Sequence, residues 1–79
     1  MLKKRKTILG RKLECDICLD DSLVSDEHAS IVKTDGGFLI EDLNSRNGIM
    51  LNGKEVHEKK LRNGDMIEIG SFKLKFSYS

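Results

Sequence analysis

The sequence predicts an all-β protein, a small two-sheet antiparallel β-sandwich, and three observations carry that expectation. Short runs alternate apolar and polar residues with a period of two, the spacing of a half-buried strand. Residues that tolerate positive φ, mostly Asn-Gly and Gly-Asp pairs, punctuate those runs at close intervals. The 3.6-residue spacing of an amphipathic helix is hard to find in any window. Many short strands with frequent turns point to a sandwich or barrel.

Taken in order, Ile8-Leu9 and Ile17-Cys18-Leu19 are the shortest strand candidates. Ala29 and Ile31 alternate with Ser30, and the turn residues Asp35-Gly36-Gly37 follow. Phe38-Leu39-Ile40 is a short apolar run suited to a buried strand. Two Asn-Gly pairs come next, Asn47-Gly48 and Asn52-Gly53, and that dipeptide is the strongest short hairpin signal. Residues 54–62, KEVHEKKLR, are long enough for two helical turns but carry no apolar stripe, so they read as an extended arm and loop. After Asn63-Gly64-Asp65, Ile67 and Ile69 alternate with Glu68. The clearest strand closes the chain: Phe72, Leu74 and Phe76 alternate with Lys73, Lys75 and Ser77.

The 79 residues make one domain, 1–79, with a small core, since a chain of this size buries only about 60% of its unfolded surface. Hydrophobic residues are 38% and charged residues 34%, which suits a folded domain rather than a disordered tail. The net charge of +1 does not favour a polyanion partner. The charge is nonetheless segregated. Residues 1–12 hold six bases and no acid; residues 14–27 hold six acids and no base. That pattern suggests local pairing or a directed field. No apolar run approaches the ~18 residues that cross a bilayer, and no signal-peptide core follows the basic N-terminus. Two cysteines are too few for a disulfide scaffold. The expected setting is soluble and cytoplasmic.

The sequence argues against several chemistries. Cys15 and Cys18 have ligand-like spacing, with His28 and His57 elsewhere, but no second pair completes a zinc pattern. Neither a metal nor another cofactor is expected. Ser25, Asp26 and His28 mimic a triad only by sequence proximity, whereas triads are set by geometry, so no enzyme is expected. The Lys3–Lys6 run offers phosphate contacts, but one Tyr and no Trp leave no stacking platform for nucleic acid.

The remaining constellation is an anion site made by loops. Gly10-Arg11 ends a strand, Ser25 and His28 precede another, and Ser45-Arg46-Asn47-Gly48 forms a corner. If these loops meet at one end of a sandwich, two guanidiniums, a hydroxyl and turn amides converge. That donor set suits a phosphate. Each residue alone has a plainer reading: Arg11 pairing with the acidic loop, Ser25 capping a turn, His28 as a hydrogen-bonded structural histidine.

Gly10-Arg11, Ser25-x-x-His28, Ser45-x-Asn47-Gly48, Asn52-Gly53, Gly64-Asp65 and Gly70, in this order, resemble the forkhead-associated (FHA) domain family over residues 8–76. The resemblance implies a β-sandwich whose loops bind phosphothreonine in a partner protein, in Ser/Thr-kinase signalling. It implies that Arg11 and Ser25 contact the phosphate, that Arg46 lies beside it, and that Asn47 holds the peptide main chain. Gly10, His28, Gly48, Asn52 and Gly53 are implied to be architectural. Two departures stand out. Asp26 follows Ser25 where the family often has Arg, which opens the alternative of a phosphate-independent interaction or assembly domain of the same fold. The usual first strand also has little room before Gly10. The strand around Phe72–Phe76 is then expected to present an open edge, through which a homodimer, a swapped assembly or a larger parent chain completes the sheet.

Overall fold

The computed structural model describes residues 5–78. Lys3 and Lys4 of the basic run lie outside the described residues. Nine strands form two sheets with no helix among the described residues. The first sheet contains β1 (Lys6–Gly10), β2 (Ile17–Cys18), β3 (Ala29–Thr34), β4 (Gly37–Asp42) and β7 (Glu58–Leu61), in the order β2-β1-β3-β4-β7. The second contains β5 (Ile49–Leu51), β6 (Lys54–Val56), β8 (Met66–Ile69) and β9 (Phe72–Lys75), in the order β6-β5-β8-β9. Every pairing is antiparallel except β1 with β2, where Leu9 sits beside Ile17 and Gly10 beside Cys18.

One core fills the space between the sheets. Leu9, Ala29, Ile31 and Ile40 reach it from the first sheet; Ile49, Leu51, Ile67 and Ile69 reach it from the second. Each such aliphatic side chain contributes about 1.5–3 kcal/mol by leaving water. The alternation behind this is direct: in β8, Ile67 and Ile69 are buried while Met66 is exposed. At one end Phe38, Phe76 and Tyr78 close the core, with ring centroids 5.2 to 5.7 Å apart. The Tyr78 N–H donates to Asn63 Oδ1 at 3.0 Å.

Two elements differ from simple alternation. Residues 54–62 are extended, as expected, but split between the sheets: β6 pairs with β5 and β7 pairs with β4. Both are edge strands with mainly exposed charged residues, a common way to protect edges from unwanted pairing. Ser30 is also fully buried although it faces away from Ala29 and Ile31. It lies in a central strand between Ile8 of β1 and Glu41 of β4, whose side chains share its face. β9 is the other edge of the second sheet among the described residues.

Candidate functional site

Three loops meet at the end of the sandwich away from Phe38. The first follows β1 from Arg11, the second runs from Leu19 to His28, and the third joins β4 to β5 through Leu43–Gly48. The first two are stitched by backbone: the Arg11 N–H donates to the Ser25 carbonyl at 3.0 Å and the Lys12 N–H to the Asp26 carbonyl at 3.2 Å. This approach requires Gly10. A Cβ there would sit 2.2 Å from the Asp26 carbonyl oxygen and 2.9 Å from Cys15 Sγ. Gly10 thereby lets the backbone bring Arg11 alongside Ser25.

His28 joins the second and third loops. It is fully buried. Its Nδ1 accepts the Ser25 N–H at 3.0 Å, and its Nε2 lies 2.7 Å from the Gly48 carbonyl. A backbone N–H only donates and a carbonyl only accepts, so these partners assign the neutral Nε2–H tautomer. The Ser25 hydroxyl makes a second link by accepting the Arg46 N–H at 3.0 Å, which leaves its own proton to donate elsewhere. The third loop is also braced from within. The Ser45 hydroxyl donates to Asp42, the Ser45 N–H donates to the same carboxylate at 3.3 Å, and Ser45 Oγ accepts the Gly48 N–H at 2.9 Å.

The result is a cavity of about 290 Å³ lined by Arg11, Ser25, Asp26, Arg46 and Asn47, with Ser22–Val24 along one wall. Neither Arg11 nor Arg46 forms an ion pair among the described residues; the nearby Lys12–Glu27 pair, at 3.7 Å, uses neither. Asn47 donates from Nδ2 to the Leu23 carbonyl at 2.7 Å and retains its Oδ1 and second N–H. Asp26 lines the same cavity. At ~4 Å and an effective dielectric near 20, a full charge pair is worth about 4 kcal/mol before screening. Two guanidiniums and one carboxylate line the recess, a formal excess of one positive charge. The arrangement offers charge-assisted donors, a hydroxyl proton and a carboxamide within one open recess.

The FHA family matches the sequence over residues 7–70. The chain belongs to the FHA domain family. Among similar proteins are an oxoglutarate dehydrogenase inhibitor of Corynebacterium diphtheriae and the glycogen accumulation regulator GarA of Mycolicibacterium smegmatis. Each is 40% identical over 76 residues, which cover 96% of this chain and 53% and 48% of the relative, respectively. The chain thus spans about half the length of these curated relatives. Among solved structures, Mycobacterium tuberculosis EmbR in complex with a low-affinity phosphopeptide superposes with a TM-score of 0.93 at 35% identity, covering 96% of this chain and 20% of that one. An FHA domain studied for phosphothreonine-dependent interactions also gives 0.93, at 32% identity, covering 99% of this chain and 81% of that one.

The FHA fold brings Arg11, Ser25, Arg46 and Asn47 together around the cavity and places His28 and Gly48 behind them. Asn52 and Gly53 lie elsewhere, at the β5–β6 turn at the opposite end of β5. Cys15 and Cys18 back the first loop: Cys15 Sγ lies 3.1 Å from the Asp26 carbonyl and Cys18 Sγ 3.4 Å from the Arg11 carbonyl. Burial raises the Cys15 thiol pKa. No group of three or more His, Cys, Asp or Glu is placed to hold a metal among the described residues.

Sequence reasoning missed two bracing carboxylates. Asp42 is one. Asp21 is the other: its Oδ2 accepts from the Ser71 N–H at 2.8 Å and hydroxyl at 2.6 Å, and its Oδ1 accepts from the Leu23 N–H at 3.2 Å. The Ser71 hydroxyl, then the Ser71 and Leu23 amides, hold its pKa below the ordinary carboxylate value, with a smaller contribution from the Arg11 charge. The Asp21–Leu23 spacing is an Asx-turn signal, but the tie to Ser71 spans fifty positions and leaves no local trace.

Proposed function

We propose that this FHA domain is a phosphothreonine-binding module of Ser/Thr-kinase signalling in the cytoplasm, capturing a phosphorylated protein segment reversibly and without covalent chemistry. The observation that carries the reading is the convergence of Arg11, Ser25, Arg46 and Asn47 on one cavity, with neither guanidinium in an ion pair among the described residues. In this reading Arg11 and Arg46 meet the phosphate and Ser25 donates its remaining proton to a phosphate oxygen. Asn47 uses its spare acceptor and donor on the peptide main chain. EmbR bound to a phosphopeptide supports the same ligand class. Titration by calorimetry with matched threonine and phosphothreonine peptides tests it. Binding is expected only with phosphate, and Arg11→Ala is expected to abolish the difference. Equal affinity for both peptides overturns the reading.

Asp26 favours a second reading, in which the same recess binds a protein segment without phosphate. The two readings part at Asp26→Arg. The first expects tighter phosphopeptide binding, because repulsion of about the size of one screened charge pair becomes attraction. The second expects no gain.

A further inference from the structure

Cys15 and Cys18 lie three positions apart, a spacing that a continuous strand aims at opposite faces. The strand begins only at Ile17, and the loop before it brings both to one face. Leu9 faces the core, so its neighbour Gly10 turns outward. Cys18 is the register partner of Gly10, and its side chain stands on the same outer face, about 4.8 Å away across the ladder. Cys15 arrives there from the loop: its Sγ lies 2.9 Å from the point that a Gly10 Cβ would occupy. The two thiols therefore flank Gly10 at the foot of the Arg11 loop. Burial raises the Cys15 thiol pKa, and the charges of Glu27 and Cys18 add smaller contributions in the same direction.

Each thiol is tied to a residue of the recess. Cys15 donates to the Asp26 carbonyl at 3.1 Å and Cys18 to the Arg11 carbonyl at 3.4 Å. Arg11 and Asp26 both line the cavity. The Asp26 carbonyl also accepts the Lys12 N–H at 3.2 Å, and the Lys12 carbonyl accepts the Cys15 N–H at 3.1 Å. Cys15 is thus part of the stitching between the first and second loops. Cys18 is exposed and Cys15 half-buried.

We propose that Cys15 and Cys18 are a modification site, which a small organic disulfide oxidises to an intramolecular disulfide that weakens the grip of the recess. Cys18 reacts first because it is exposed. Its thiolate attacks one sulfur of the oxidant, the oxidant's S–S bond breaks, and the thiolate that leaves takes up the proton Cys18 gave up. Cys15 then loses its proton and attacks the Cys18 sulfur, expelling the second small thiolate, which takes that proton. Two protein thiols are oxidised, one small disulfide is reduced to two thiols, and the proton count is unchanged. Oxidation removes both S–H donors, so the Arg11 and Asp26 carbonyls lose these bonds, and the new bond draws Cys15 off Asp26 toward β2. The loop that carries Arg11 is then held by fewer bonds. In a thiol-rich compartment such a pair is reduced at rest and oxidised transiently, as a sensor rather than a scaffold. The loss of ligand affinity rests on the phosphothreonine reading; the disulfide itself does not.

The test treats the full chain with oxidised glutathione at neutral pH. Peptide mapping by mass spectrometry is expected to find Cys15 joined to Cys18 within one chain, reversibly with dithiothreitol. NMR is expected to show amide shifts at Arg11, Lys12 and Asp26 on oxidation. Calorimetry with a phosphothreonine peptide is expected to give about tenfold weaker binding to the oxidised chain. The double variant Cys15→Ser, Cys18→Ser keeps a hydroxyl donor at each position and is expected to bind as the reduced chain does, with or without oxidant. A glutathione adduct that persists on Cys18, or a disulfide between two chains, overturns the proposal. So does an intramolecular disulfide that leaves those amides unmoved, or an oxidised chain that binds as tightly as the reduced one. If the reduced chain itself does not bind the phosphopeptide, the proposed function fails, and the mapping and amide shifts alone decide the disulfide.

Discussion

The two Asn-Gly pairs at the ends of β5 have the same local sequence and opposite fates. At Asn52-Gly53 both residues have positive φ, 52° and 86°, the geometry of a tight primed turn joining β5 to β6. Both ends of the Asn52 carboxamide are engaged: Oδ1 accepts the Met66 N–H at 3.0 Å and Nδ2 donates to Asp65 Oδ1 at 2.9 Å. At Asn47-Gly48 only the glycine has positive φ, 78°. The Asn47 side chain is held by one bond to Leu23 and otherwise faces the cavity, while the corner's rigidity comes from His28, Ser45 and Asp42 behind it. One carboxamide has both its oxygen and its nitrogen bonded within the fold; the other is held by its nitrogen alone and keeps its oxygen in reserve. A site is built where a polar group's partners are supplied by something other than itself.

That contrast breaks most severely at His28. His28→Ala leaves the Ser25 N–H and the Gly48 carbonyl without partners, at about 1–3 kcal/mol each. A loss of about 3 kcal/mol or more in urea unfolding is expected. A loss under about 1 kcal/mol would show that the third loop is held some other way. Next comes Asn52→Gly, which keeps the backbone freedom the turn needs and deletes both side-chain bonds. Stability is expected to fall by about 1–2 kcal/mol with phosphothreonine-peptide affinity unchanged by calorimetry. Asn47→Ala is expected to do the reverse: affinity about tenfold weaker, or about 1.4 kcal/mol, with a stability change under about 1 kcal/mol. If both asparagine variants change the same quantity, the distinction between the corners fails.

The smallest effect is in acid. The Arg62 N–H, then the Asn52 carboxamide, hold the Asp65 carboxyl below its ordinary value of 3.8. The folded chain therefore releases this proton more readily than the unfolded chain. The stabilisation is present above that ordinary value and is lost as pH falls through the lower folded one. Asp65→Asn is expected to flatten that part of the stability profile below about pH 4. An unchanged acid limb would assign the loss to other carboxylates.

The parts of the fold legible in the sequence are those whose cause is local. Period-two alternation marks Ile67–Ile69 and Phe72–Phe76, and Asn52-Gly53 marks its own turn, because strand pleat and backbone sterics act over a few residues. Residues 54–62 are legible in the sequence as an extended arm but not as two strands. Each strand has a single inward residue, Val56 or Leu61, and one residue carries no period. The parallel β1–β2 pairing and the burial of Ser30 depend on neighbours distant in sequence. At the site, Arg11, Ser25, Arg46 and Asn47 were nameable from their chemistry and the family resemblance. The bonds that assemble them were not, since Ser25 meets Arg46 across twenty-one positions and Asp21 meets Ser71 across fifty.

The aromatic cluster at the far end has a spectroscopic corollary. Tyr78 is the only tyrosine and the chain has no tryptophan, so near-ultraviolet emission arises from one ring packed beside Phe38 and Phe76. Melting the sandwich releases that ring and changes the signal. Filling the recess at the opposite end does not touch it. The molecule therefore carries a native optical reporter of unfolding that stays dark to occupancy of the loop end.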